Sequence, residues 1–192
     1  MVMEITKSYL TINKFSRPGT KMQKIRGLVL HGTGNPGTGA LANRNYFESL
    51  KNQDEEKLSK EKKSPVFASA HEIIGLKGII ELCIPSEEIA YHVGGSKYTP
   101  TGKGIGSYPN AFLYGVEYCY VDLDGRPSDV VRGAIVERFA YLIKTYELLP
   151  QAIYTHCDIT GKKCPQYYIE NPSEWKKLKE DIIDLYNKII RE

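Results

Sequence analysis

The sequence has no apolar run approaching the ~20 residues that a membrane-spanning helix needs, so no membrane insertion is expected. Its N-terminus, MVMEITKSYLTINKF, lacks the apolar core of a secretory leader, and a product acting outside the cytoplasm would need another route of release. A strong charge of one sign is also missing. The net charge of +3 is too mild for a dedicated nucleic-acid binder, yet it does not oppose docking on an anionic polymer such as a cell wall. Neither an internal repeat nor a Gly/Ser linker divides the 192 residues, a length that suits one domain with a real core. Four cysteines in a chain of this length, without a leader, argue against a disulfide framework.

What is there reads as a mixture of strands and helices. KIRGLVLH (24–31) is a short apolar run that ends in a histidine and meets the Gly-rich GTGNPGTG, which predicts a buried strand delivering His31 to a loop. Ala42, Tyr46, Phe47 and Leu50 recur at helical spacing and predict a helix over 40–52. The charge run 51–63 reads as a solvated helix end or loop. VFASAHEIIG and IIELCIP predict a β-hairpin with Gly78 in the turn, and 88–95 reads as another extended piece. Residues 96–110 form an expected long loop, and 111–122 is the clearest strand. Ser128 is the expected N-cap of an amphipathic helix through Tyr146. Asn171, Pro172 and Glu174 predict the start of a C-terminal helix. Hairpins with few strict βαβ units predict an α/β domain with a central mixed sheet flanked by helices.

Glu117 interrupts the clearest strand. Alternation places it on one face with Leu113, Gly115, Cys119 and Val121. A carboxylate among such neighbours must be paired, lie near a cation or line a cleft. It therefore reads either as a salt-bridged or edge glutamate or as a general base. Of the four histidines, His31 and His156 each follow a short apolar run. With Cys164 they could supply the three protein ligands of a catalytic zinc site. Two other readings of THCDITGKKCP (155–165) stay open: a Cys157–Cys164 disulfide, and a thiol hydrolase with Cys164 as nucleophile. Cys83 and Cys119, inside apolar runs, read as buried thiols.

Several segments in series resemble the type-2 N-acetylmuramoyl-L-alanine amidases, a family that includes phage endolysins and bacterial autolysins. They are RGLVLHGTGNPGTGA (26–40), NRNYFESL (43–50), ASAHEIIGLKGIIELCIP (68–85), IAYHVGG (89–95), YPNAFLYGVEYC (108–119), THCDITGKKCP (155–165) and NPSEW (171–175). The likeness runs over about 26–175, which places one amidase domain on 1–192. It implies one catalytic zinc ion held by His31, His156 and Cys164, with Glu117 as general base and Lys162 stabilising the oxyanion. The implied substrate is peptidoglycan, cut at the amide between the lactyl group of N-acetylmuramic acid and L-alanine.

Gly32 and Gly34, just after His31, leave space beside such a metal for a ligand, and the resemblance extends to two more histidines. His71 and His92 come near the site without binding the ion, lining the cleft or packing beneath it. Tyr98 and Tyr108 are candidate contacts for glycan or stem peptide. Asp158 either orients a ligand histidine or caps the turn before Gly161, and Cys157 has no evident role. One departure matters: Ala70 stands where some phage and animal members carry a catalytic tyrosine. That shifts the chemistry onto Glu117. A non-catalytic peptidoglycan-binding module is the alternative, although binding-only relatives usually lack the cysteine ligand. A monomer is expected, made in the cytoplasm and acting on the wall after holin-mediated release or lysis.

Overall fold

The computed structural model describes residues 3–191. In chain order the strands and α-helices are β1 (Ile5–Lys7), β2 (Gly27–Gly32), α1 (Ala40–Ser49), α2 (Glu55–Lys60), β3 (Glu72–Ile74), β4 (Ile80–Leu82), α3 (Pro100–Ile105), β5 (Leu113–Tyr118), α4 (Asp129–Thr145), β6 (Ile153–Thr155), α5 (His156–Thr160), α6 (Gln166–Glu170) and α7 (Pro172–Ile189). The strands form one six-stranded sheet in the order β1-β4-β3-β5-β2-β6. Only β3 and β4 pair antiparallel; every other pairing is parallel. This is the mixed sheet that the sequence predicts.

Alternation divides the side chains of β2 and β5 between two layers. Leu28, Leu30, Tyr114, Val116 and Tyr118 join Ile135 and Phe139 of α4 and Leu178 and Ile182 of α7 in the larger core. Val29 and Leu113 turn the other way and pack with Val93, Ile105 and Ile159. Ile73 and Cys119 pack beside them with Ala40 and Phe47 of α1. The parallel register of β2 and β5 sets His31 opposite Glu117.

A buried ion pair ties α4 to the sheet. Arg138 Nε donates to both Glu72 oxygens at 3.0 and 2.9 Å, and Nη2 lies 2.8 Å from Oε2. Glu72 is fully buried and Arg138 nearly so. Such a fork matches the geometry of a carboxylate.

Some expectations need correction. Residues 88–95 form no strand; an isolated bridge from Lys21 to Glu88 is the only β pairing there. The loop expected over 96–110 contains α3. Thr99 Oγ1 accepts from Gly102 N–H at 3.1 Å and Pro100 opens the helix, a start signal masked by the glycines that follow. A Cβ on Gly102 would lie 2.4 Å from Ile159 O, so only glycine lets α3 approach α5. The hairpin exists, with Gly78 at φ +79°, but its strands have three residues each. The edge strand β1 was not foreseen, nor were α5 and α6, which are too short to show a period. Asn171 does not cap α7 with its side chain; it donates back to Tyr167 O at 2.8 Å. Ser128 does cap α4, accepting from Val131 N–H at 3.3 Å.

Removing one partner of a buried pair leaves the other charge unpaired. Arg138→Met should therefore cost about 3–5 kcal/mol of stability in urea unfolding. The double variant Glu72→Gln/Arg138→Met should lose less than this single one. Equal stability of Arg138→Met and the unmodified protein would remove the pair from its structural role.

Candidate metal centre and cleft

His31 reaches the site from the end of β2, and His156 from the first turn of α5 directly after β6. A capping box fixes α5. Thr155 Oγ1 accepts from Asp158 N–H at 3.0 Å, while Asp158 Oδ2 accepts from Thr155 N–H at 2.7 Å and from its hydroxyl at 2.8 Å. Asp158 thus serves the start of α5 through Thr155, rather than capping the turn before Gly161. Gly161, at φ +82°, ends α5 in the left-handed conformation. Cys157 N–H then donates to Cys164 O at 3.2 Å, closing the loop that brings Cys164 back to the histidines. All four cysteines are free thiols, so the disulfide reading falls. Cys83 and Cys119 are fully buried, as their apolar surroundings predict.

His31, His156 and Cys164 each offer one ligand atom, and these atoms lie within 4.8 Å of one another. His31 Nδ1 stands 3.8 Å from Cys164 Sγ, and the two histidine rings meet edge to face at 4.9 Å. Among the described residues, four buried side-chain polar atoms lack a hydrogen-bond partner. Three of them, Thr33 Oγ1, Glu117 Oε2 and His156 Nε2, belong to residues lining one cleft of about 340 Å³. Buried polar atoms are normally satisfied, so this convergence marks a place for something else to bind. Two nitrogens and a sulfur in this arrangement suit a transition-metal ion.

Burial dominates the electrostatics. It pushes the Glu117 carboxyl up to about 7, against the opposing pull of the Lys162 cation. It holds His156 down at about 3, with Lys162 and His92 acting the same way. His31 is lowered by burial and then by His92, His156 and Lys162. Burial therefore keeps the imidazoles neutral, the form that donates a lone pair. The Cys164 thiol is raised to about 12, first by burial and then by Glu117, so the influence of Lys162 is outweighed. A free thiol held so high is a poor nucleophile, which weighs against the thiol-hydrolase reading. Lys162 itself is exposed on the cleft wall.

The other sequence candidates separate. Gly32 and Gly34 line the cleft, and Gly34, at φ +65°, has open space where a side chain would be. His92 also lines it, but its ring nitrogens are engaged by His31 and Leu113 O, so neither is left for a substrate. His71 lies beneath, fully buried. Gly115 N–H donates to its Nδ1 at 3.0 Å, so its Nε2–H donates to Glu88 O at 3.0 Å. Neither nitrogen is left for a ligand, which corrects any substrate contact by His71. Tyr98 and Tyr108 do not line the cleft; Tyr98 packs beside Ile159. The lining aromatics are Phe47, Phe67, Tyr91 and Tyr120. Tyr91 directly precedes His92 in the expected extended piece, whereas Phe67 had no signal beyond being apolar.

His71 generates a pH dependence away from the ligands. Burial lowers it to about 3, against backbone hydrogen bonds that raise it. Unfolded, it takes a proton near 6.5. Between those values the unfolded state binds more protons, so acidification favours unfolding. Metal-free protein should lose stability as the pH falls below about 6.5, and His71→Gln should flatten the slope by up to about 1.4 kcal/mol per pH unit. Urea unfolding at several pH values checks this; parallel slopes would count against it.

The N-acetylmuramoyl-L-alanine amidase family model matches residues 21–167. The amidase BlyA of Bacillus subtilis (strain 168) is 34% identical over 186 residues, covering 92% of this chain and 46% of that protein. A probable N-acetylmuramoyl-L-alanine amidase of Bacillus licheniformis is 28% identical over 188 residues, covering 97% and 49%. The chain thus spans about half the length of the curated relatives it matches. Among solved structures, PlyL superposes with a TM-score of 0.71 at 22% identity, covering 94% of this chain and 97% of that one. The catalytic domain of XlyA gives 0.66 at 21% identity, covering 94% and 99%. These likenesses show the fold. A family match running from before His31 to beyond Cys164, with a relative sharing a third of its residues, places this chain in the N-acetylmuramoyl-L-alanine amidase family.

Proposed function

We propose that this domain hydrolyses the amide between the lactyl group of N-acetylmuramic acid and L-alanine in peptidoglycan, using one zinc ion held by His31, His156 and Cys164. The observation that carries this reading is the meeting of three ligand atoms with the enclosed, unpartnered Glu117 Oε2 in one cleft. Nitrogen and sulfur donors suit zinc, and three protein ligands leave a position free. When bound, the ion supplies Lewis acidity toward the scissile carbonyl. Family membership supports the choice of bond.

Glu117 takes the proton of the attacking water and hands it to the leaving amine. Lys162 sets a cation on the cleft wall where the carbonyl oxygen becomes negative. One such donor is typically worth about 3 kcal/mol. Ala70 is fully buried and offers no hydroxyl, so proton transfer rests on Glu117. Phe67 and Tyr91, with Lys163 and Gln166, give the cleft apolar and polar surfaces for a muramoyl-peptide. No helix among the described residues is long and apolar enough to cross a membrane. The domain acts on the wall once released to it.

Removal of zinc by chelator should abolish wall digestion, and added zinc should restore it. Glu117→Gln should keep its zinc and lose at least about 100-fold in kcat. Lys162→Met should lose about 100-fold, also with zinc retained. Digestion should release new N-terminal alanine and no new reducing ends. New reducing ends would sink the amidase assignment, and wall binding without cleavage would make this a binding module.

A further inference from the structure

We infer that His92 is a positioning residue that locks the tautomer of His31 and so aims the bare Nδ1 of His31 at the metal. This rests on the metal reading above and extends it to a residue that is not itself a ligand. The hydrogen-bond chain ends at an accepting backbone carbonyl. Leu113 O can only accept, so His92 Nε2, 2.9 Å away, carries a proton and donates it. In a neutral imidazole the other nitrogen is then bare. His92 Nδ1 is therefore the acceptor of the 3.0 Å contact with His31 Nε2. His31 Nε2 must carry the proton, and its Nδ1 keeps a free lone pair on the side of Cys164 Sγ. A strand carbonyl thus sets the ligand atom of His31 through two rings.

The surroundings of His92 are built for this. Asn110, almost fully buried, accepts with Oδ1 from His92 N–H at 3.2 Å and Val93 N–H at 2.9 Å, which fixes the backbone. Below the ring β5 is bare: a Cβ on Gly115 would lie 2.5 Å from His92 Cγ and 2.6 Å from Nδ1. The glycine beside Glu117 exists because this imidazole occupies its side-chain space. The ring meets His31 edge to face at 5.2 Å, so its tilt and its hydrogen bond are set together.

Two measurements test the inference. In metal-free, 15N-labelled protein, long-range 1H–15N spectra should show His31 as the Nε2–H tautomer; the Nδ1–H form would overturn the proposal. Competition with a chelator should then show His92→Phe binding zinc about 10–100-fold more weakly than the unmodified protein. His92→Asn, whose amide oxygen can stand where Nδ1 stood, should recover most of that loss. Gly115→Ala, which displaces the ring, should weaken zinc in the same direction. Unchanged affinity in His92→Phe, or an equal loss in His92→Asn, would remove the tautomer role and leave the metal site intact. Failure of the unmodified protein to bind zinc would instead overturn the metal site. If His92→Phe does not fold, the spectra of the unmodified protein still decide.

Discussion

The parallel register of β2 and β5 places His31 directly across from Glu117, both on the face turned away from α4. A strand shows alternate residues to opposite sides, so a slip of one position would bury Glu117 in the large core and offer Val116 to the cleft. The register is supported by apolar residues whose side chains pack in the core on the α4 side. Leu28, Leu30, Val116 and Tyr118 are fully buried on the α4 side, and a slipped register would turn them toward the cleft. The candidate chemistry is thus specified from the far side of the sheet.

Burial then does most of the electrostatic work. Glu117 rises and the imidazoles fall first of all because of the cost of holding a charge away from water. Lys162 acts in the background, favouring ionised Glu117 and opposing protonated histidine. On the other side of the sheet burial raises the Glu72 carboxyl as well, but there a bidentate Arg138 guanidinium opposes it. The same sheet carries one charged pair that is satisfied and one carboxylate oxygen that is not.

Much of this was legible in the sequence. The run ending at His31 and the alternation around Glu117 predicted β2 and β5. The resemblance implied the ligand trio, which the structure brings within a few ångströms. Other features were invisible for physical reasons. A five-residue helix such as α5 has too few turns to show a period, so Asp158 could not be told from a residue serving a histidine. Gly102 and Gly115 carry no sequence signal of their role, yet each is glycine because another group occupies its side-chain space. Tyr98 and Tyr108 drew attention as aromatics in a long segment, but composition does not say which way a ring turns. His71 and His92 each have both ring nitrogens engaged, and only their places separate them: His92 lines the cleft and His71 lies beneath it.

The contact between α3 and α5 limits where variety can enter. Thr99 donates its hydroxyl to Asp158 O, its backbone N–H bonds to Ile159 O, and Gly102 presses on the same carbonyl. A surface segment rich in glycine and lysine invites diversification, by evolution or by a protein engineer grafting a new specificity. Its inner edge is nevertheless fastened to the short helix that begins with His156. Only the outward positions, such as Lys103 and Gly104, are free to change without disturbing that attachment. The segment behaves as a bracket with one decorable side, and libraries built on it should be confined to that side.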